Sequence, residues 1–271
     1  MEADIIKRIE NLHWEYRNLH LSDIIDYDKY KLYSLVTSST QLEGSTLDES
    51  DTKLLLDDGL TSKGKPMLDH KMVEDNYNAL LFALEAANKK TLLSPTFLQE
   101  LNGRNMQQTG IVKKTISGNI VDGTKGEFRM DSRFAQAIGT YPDWTKIAEL
   151  VDEFCKEYNR QIIENKDEYA ALITSFDAHA NLILVHPWMD GNKRTSRLLM
   201  CYVQQRAKLP LTKVFKEDSK EYWEALKQTK DTNELKPIRI FMLKQHEKTI
   251  RTEIADYKRS ENQNHGFSLI L

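Results

Sequence analysis

"VHPWMDGNKRTSRLL", Val185 to Leu199, interrupts an apolar pattern with a histidine, an acid, a Gly-Asn pair, a lysine and two arginines. Upstream, Ala170, Ile173, Phe176, Ala180 and Ile183 recur at helical spacing and predict a core helix. Pro187 cannot continue that helix and drives His186 out of the right-handed helical region, so the helix stops near Val185. A second helix starts near Gly191 to Lys193 and buries Leu198, Leu199 and Tyr202. The polar cluster therefore sits on a short loop clamped between two core helices, at the N-terminus of the second.

Outward from this stretch the dominant period is helical. Ile5, Ile9, Leu12 and Tyr16 form one stripe, and a second helix is expected over about 27–42. "DDGLTSKGKP", Asp57 to Pro66, breaks the pattern with two glycines and a proline, after which "MVEDNYNALLFALEAAN" resumes it. Ser94-Pro95 reads as an N-cap followed by a first-turn proline. The exception is Thr109 to Pro142, with five glycines and several β-branched residues, where short strands or a hairpin are expected. The fold class is all-α with one small β element.

Composition excludes several classes. The chain has 271 residues, 40% hydrophobic and 29% charged, which is ordinary for a globular protein. A formal charge of −3 supplies no basic field for nucleic acid. No apolar run approaches the roughly 20 residues a membrane helix needs, and the opening "MEADIIKRIENLHWEY" is amphipathic and acidic, unlike a signal peptide. Cys155 and Cys201 have no metal-type spacing. A cytoplasmic protein with no nucleic-acid or membrane partner is the expectation. The tail "RSENQNHGFSLIL" is polar and is expected to be flexible.

The loop residues point to phosphate chemistry. A helix N-terminus offers unpaired N–H groups and partial positive charge, and Gly191 lets an anion approach. Arg194 and Arg197 lie one turn apart on one face, suited to paired hydrogen bonds with phosphate. Asp190 is one carboxylate beside this nest, and Mg²⁺ is commonly held by one or two carboxylates plus substrate phosphates. His186 can take a proton from a hydroxyl near neutral pH. Each element alone is usually structural: a helix stop, a turn, a solvated face. Their order between two apolar helices favours a nucleotide site, with a non-catalytic helical adaptor that binds an anion or a partner as the alternative.

The same residues carry a resemblance. "HPWMDGNKRTSR" is similar to the signature of the Fic family: His-Pro-Phe, any residue, Asp or Glu, Gly-Asn-Gly-Arg, two residues and Arg. His186, Pro187, Asp190, Gly191, Asn192, Arg194 and Arg197 match, while Trp188 replaces the phenylalanine and Lys193 the second glycine. "GEFR" (Gly126, Glu127, Phe128, Arg129) resembles the segment that opens the family's flap, a hairpin that pins a target by strand addition. "SSTQLEG" resembles the inhibitory motif of Fic proteins with an autoinhibitory helix before the core (class II-like), through Ser39, Glu43 and Gly44.

The resemblance implies a helical Fic fold with a hairpin flap: an N-terminal region over 1–91, a core over 92–209, C-terminal helices over 210–258 and a tail over 259–271. It implies transfer of AMP from ATP to a Ser, Thr or Tyr hydroxyl of a target protein, and it allows a homodimer. His186 would be the base, Asp190 the Mg²⁺ ligand, Asn192 and the backbone after Gly191 the anion hole, and Arg194 and Arg197 the β- and γ-phosphate grip, with Lys193 lining the same site. Trp188 is expected to anchor the loop and His179 to lie in the core helix. Two alternatives stay open, the first because the Lys193 side chain would crowd the α-phosphate and the second because of the inhibitory glutamate. Doc, a relative with Asn-Lys-Arg here, transfers phosphate as a kinase, and some relatives remove AMP with a water aligned by the inhibitory glutamate.

Overall fold

A computed structural model describes residues 2–19, 27–115, 118–131 and 141–267. Ten α-helices lie among them: α1 (Glu2–Asn18), α2 (Tyr27–Gln41), α3 (Glu49–Asp58), α4 (Met67–Asn88), α5 (Pro95–Asn105), α6 (Ile147–Glu164), α7 (Glu168–Val185), α8 (Asn192–Arg206), α9 (Ser219–Thr232) and α10 (Lys236–Phe267). The local signals act where the sequence places them. Ser94 accepts the Phe97 N–H at 3.0 Å with Pro95 in the first turn, so α5 starts as expected. Asp48 and Asp51 close a reciprocal capping box on α3, and Gly59 ends that helix with left-handed φ.

Helix α8 is the axle. It packs against α7 on one side and α4 on the other, and from Asn192 to Gln204 only Lys193 escapes burial. One apolar cluster joins α2, α4, α5, α6 and α8 through Val36, Val73, Leu80, Leu98, Val151 and Leu199. A second joins α1, α7, α9 and α10 through Ile5, Ile9, Phe176, Leu226 and Met242. Helix α7 lies between the clusters and is buried around most of its surface; of the expected stripe, Phe176, Ala180 and Ile183 are buried, while Ala170 and Ile173 are only half-buried. The α1 stripe is buried at Ile5, Ile9 and Leu12, with Tyr16 at its edge.

The β element is a two-stranded antiparallel hairpin, β1 (Val112–Lys114) and β2 (Ile120–Asp122), with Lys113 opposite Val121. It precedes Gly126–Arg129, whereas the flap expected from the resemblance follows that segment. The continuation at 132–140 lies outside the described residues. Helix α10 continues to Phe267, so the backbone of 259–267 is helical, and 268–271 lie outside the described residues.

Candidate active site

His186 caps α7 in the left-handed conformation (φ 50°, ψ 59°), and its N–H still bonds Leu182 O. Pro187 accounts for the exit from the right-handed region, though the extended backbone usual before proline is not the one adopted. The strain is held in place by neighbours, as is common at functional sites. Arg129, fully buried, donates from Nε to His186 O at 2.7 Å and from Nη2 to Pro142 O at 2.6 Å. Its backbone N–H bonds Pro187 O at 2.9 Å. The Tyr141 ring stacks on the imidazole with centroids 4.1 Å apart. Burial, helped by the nearby charges of Arg129, Lys193 and Lys230, pushes the imidazole down to about 4. At neutral pH it is an uncharged base.

The loop is closed from inside. Trp188 is the anchor expected, fully buried, donating from Nε1 to Gly126 O at 2.9 Å. Asn192 uses its side chain at both ends on Trp188, accepting from its N–H at 3.0 Å and donating to its carbonyl at 2.8 Å. That amide is therefore a staple, and what Asn192 offers an anion is its backbone N–H. No side chain caps α8, whose first N–H groups follow Gly191 at φ 79°. A Cβ at Gly191 would lie 2.7 Å from the Asn102 amide and 2.8 Å from Met106 Sδ, so glycine is required there. Gly126 is as constrained, because a Cβ would meet Gln99 O at 1.9 Å.

A buried amide ladder supports the loop and was not anticipated. Asn102 donates to Asp190 O at 3.3 Å and to Thr195 Oγ1 at 3.0 Å, Asn105 donates to the same hydroxyl, and Asn76 donates to Asn105. Only isolated asparagines in α4 and α5 signal it, about 90 residues before the loop, so nothing in the local pattern joins them to it.

Asp190 is exposed at the rim. Its Oδ1 accepts the Gly191 N–H at 2.6 Å and lies 3.9 Å from Arg194. Arg194 is buried with Nη2 on Met106 Sδ and Nη1 without a partner among the described residues. Arg197, also buried, donates from Nε to Ser39 Oγ (3.0 Å) and from Nη2 to Ser39 O (2.8 Å) and Glu43 Oε1 (2.9 Å). The far end of α2 thus reaches the second arginine through residues 154 or more positions away. Gly44, at φ 99°, turns the chain after that helix. Burial alone would raise the Glu43 carboxyl, but Arg197 and Lys193 outweigh it and hold it below its usual range.

Lys193, expected to line the nucleotide site, turns its side chain towards Glu43 and helix α9. Its Nζ pairs with Glu43 Oε2 at 2.6 Å and lies 4.3 Å from the centre of the Trp223 ring. Both oxygens of Glu43 are therefore held by cations. His179 sits in α7 as expected, bonded to Tyr222 Oη at 2.8 Å and pushed down to about 3, mainly by burial.

A helical bundle with one small hairpin and a buried His-to-Arg loop defines a class of fold before any relative is considered. Residues 93–204 match the model of the Fic/DOC family. This chain carries a Fic/DOC-family domain. It is 26% identical over 267 residues to protein adenylyltransferase fic-1 of Caenorhabditis briggsae, covering 96% of this chain and 49% of that protein. For fic-1 of Caenorhabditis elegans the identity is 24% over 268 residues, covering 97% and 49%. The chain spans about half the length of these curated relatives. Among solved structures, Fic-1 (134 to 508) of C. elegans superposes with a TM-score of 0.72 at 21% identity, covering 94% of this chain and 71% of the other. A Fic-domain signaling protein of Bacteroides thetaiotaomicron superposes at 0.75 with 20% identity, covering 93% and 98%. The fold is the helical Fic fold.

Proposed function

We propose that this chain is a protein adenylyltransferase that moves AMP from ATP to a Ser, Thr or Tyr hydroxyl of a target protein, restrained by its own Glu43. The observation that carries this reading is one loop that sets a neutral imidazole at one end and an uncapped helix N-terminus with two buried arginines at the other. His186 accepts the hydroxyl proton as the oxygen bonds the α-phosphorus, and the bond to the β-phosphate breaks to release pyrophosphate. The first N–H groups of α8 and Arg194 receive phosphate oxygens, and Arg197 receives the terminal phosphate once Glu43 leaves. An arriving triphosphate sets negative charge against the cations that depress the imidazole, which moves it back towards the working pH.

Asp190 would hold Mg²⁺: its carboxylate is exposed beside the anion nest, and one carboxylate with phosphate oxygens suffices. The ion would neutralise charge developing on those oxygens. Ser39, Glu43 and Gly44 are the inhibitory elements of the N-terminal region, and Gly126–Arg129 support the loop at the base of the target-docking flap. The turn of Lys193 towards Glu43 and the Trp223 ring supports AMP transfer over a Doc-like phosphate transfer, because the Trp223 contact does not need Glu43 and gives the side chain a place away from the α-phosphate. A cytoplasmic setting agrees with two free, buried cysteines whose thiols burial pushes up to about 12. The test is incubation with α-labelled and, separately, γ-labelled ATP. AMP transfer labels protein from the α position only; label from γ only makes the chain a kinase, and none from either, in Glu43→Gly as in the wild type, favours the adaptor or an absent target.

A further inference from the structure

Lys230 of α9 carries a buried ammonium group with no hydrogen-bond partner among the described residues. Such a group is costly and calls for a reason. Its Nζ lies 4.2 Å from the centre of the Tyr141 ring, and the same ring stacks 4.1 Å from His186. A cation against an aromatic face is attracted by the ring's quadrupole, which offsets part of the lost hydration. Two elements outside the loop, the segment at Tyr141 and helix α9, thus meet behind the imidazole.

We propose that Tyr141 and Lys230 are positioning residues for His186: the ring fixes the plane of the imidazole, and the ammonium behind it adds to the positive charges that oppose its protonation. This rests on His186 being the base of the proposed transfer. Among the described residues, the charged and titratable groups facing His186 are Arg129, whose guanidinium holds the His186 carbonyl, Lys193 on α8, Lys230 on α9 and Tyr141 itself. Asp143 faces Arg129 and Asp231 faces Lys230, each moderating one of the cations. Burial alone would fix the imidazole neutral but not its plane; the stack supplies the plane. The Lys230 charge is positive throughout the acid range where histidines titrate.

The test is titration of His186 by NMR in the full chain without nucleotide, with its signal identified among the seven histidines by loss in His186→Gln. Lys230→Met is expected to raise the His186 midpoint by about 0.5 to 1 pH unit, the size expected for one partly screened charge across an aromatic ring. Lys230→Arg should leave it near the wild-type value, and Lys230→Gln serves if the methionine variant does not fold. An unchanged midpoint in a folded, charge-removed variant overturns the role of Lys230. For Tyr141, Tyr141→Leu should lower the self-modification rate at least tenfold while ATP affinity stays within twofold, with Tyr141→Phe restoring the rate. An unchanged rate in Tyr141→Leu overturns the role of the ring. If neither the wild type nor Glu43→Gly transfers anything from ATP, the adenylyltransferase reading fails while the titration still decides whether Lys230 bears on the charge state of His186.

Discussion

His186 at the start of the α7–α8 loop and Arg197 within α8 are eleven residues apart and electrostatically opposite. At His186 the groups nearest the ring are an aromatic face and a backbone held by Arg129, and the imidazole is pushed down to about 4 and stays uncharged. At Arg197 the guanidinium is raised above its usual value despite burial, because Glu43 sits against it. Proton transfer needs a neutral acceptor, whereas a phosphate grip needs permanent charge. In the proposed transfer both needs would be met because α8 begins between the two points: its N-terminal N–H groups separate the neutral imidazole from the cation cluster.

The largest effect is expected from removing the base. His186→Ala should lower transfer by about 10² to 10⁴, with ATP binding changed by no more than a few fold, because the phosphate groups lie at the other end. Single-turnover rates and calorimetry on the variant check both halves. Equal activity would remove the histidine from the mechanism and collapse the contrast.

Acid tests the same contrast through stability. The folded His186 midpoint lies below the ordinary value near 6.5. The unfolded chain therefore binds more protons between about pH 6.5 and 4, and stability contributed by the neutral imidazole falls as pH drops through that window. At pH 5 the loss relative to pH 7 is about 2 kcal/mol for this one group. Buried His13, His179 and His246 are shifted in the same direction. Denaturant midpoints at pH 7 and 5 measure the fall, and His186→Gln should make it shallower. A fall no shallower in that variant would mean the imidazole is already charged in the folded protein.

A smaller effect sharpens the arginine end. Lys193→Gly should raise self-modification a few fold, because Glu43 loses one of its two cations. The same substitution in a Glu43→Gly background should add nothing. A further rise there would mean that Lys193 acts by crowding the nucleotide, the role its sequence position suggested.

These distinctions were partly legible in the sequence. The order His-Pro, Asp-Gly-Asn, Arg and Arg between apolar helices is local, so the loop, the end of α7 near Val185 and the start of α8 followed from it. The place of His179 followed from its position on the α7 pattern, and the burial of Trp188 was expected with the resemblance. The Glu43–Arg197 contact was expected only through resemblance, since nothing in the spacing brings residues 154 positions apart together. The direction of Lys193 depends on Trp223 from another helix, and the amide ladder depends on α4 and α5 meeting α8. Both are products of tertiary packing, which a one-dimensional period does not encode.

The central claim is that Glu43 occupies the arginine meant for the terminal phosphate. A carboxylate and guanidinium about 4 Å apart at an effective dielectric near 20 attract by roughly 4 kcal/mol before desolvation is subtracted. A net remainder of about 1.4 kcal/mol already biases ATP binding tenfold. The most direct measurement is ATP affinity by calorimetry for the wild type, Glu43→Gly, and Glu43→Gly combined with Arg197→Ala. The expected result is at least tenfold tighter binding in Glu43→Gly, with the gain lost in the double variant. Equal affinity of the wild type and Glu43→Gly would contradict the claim and leave the end of α2 as packing alone.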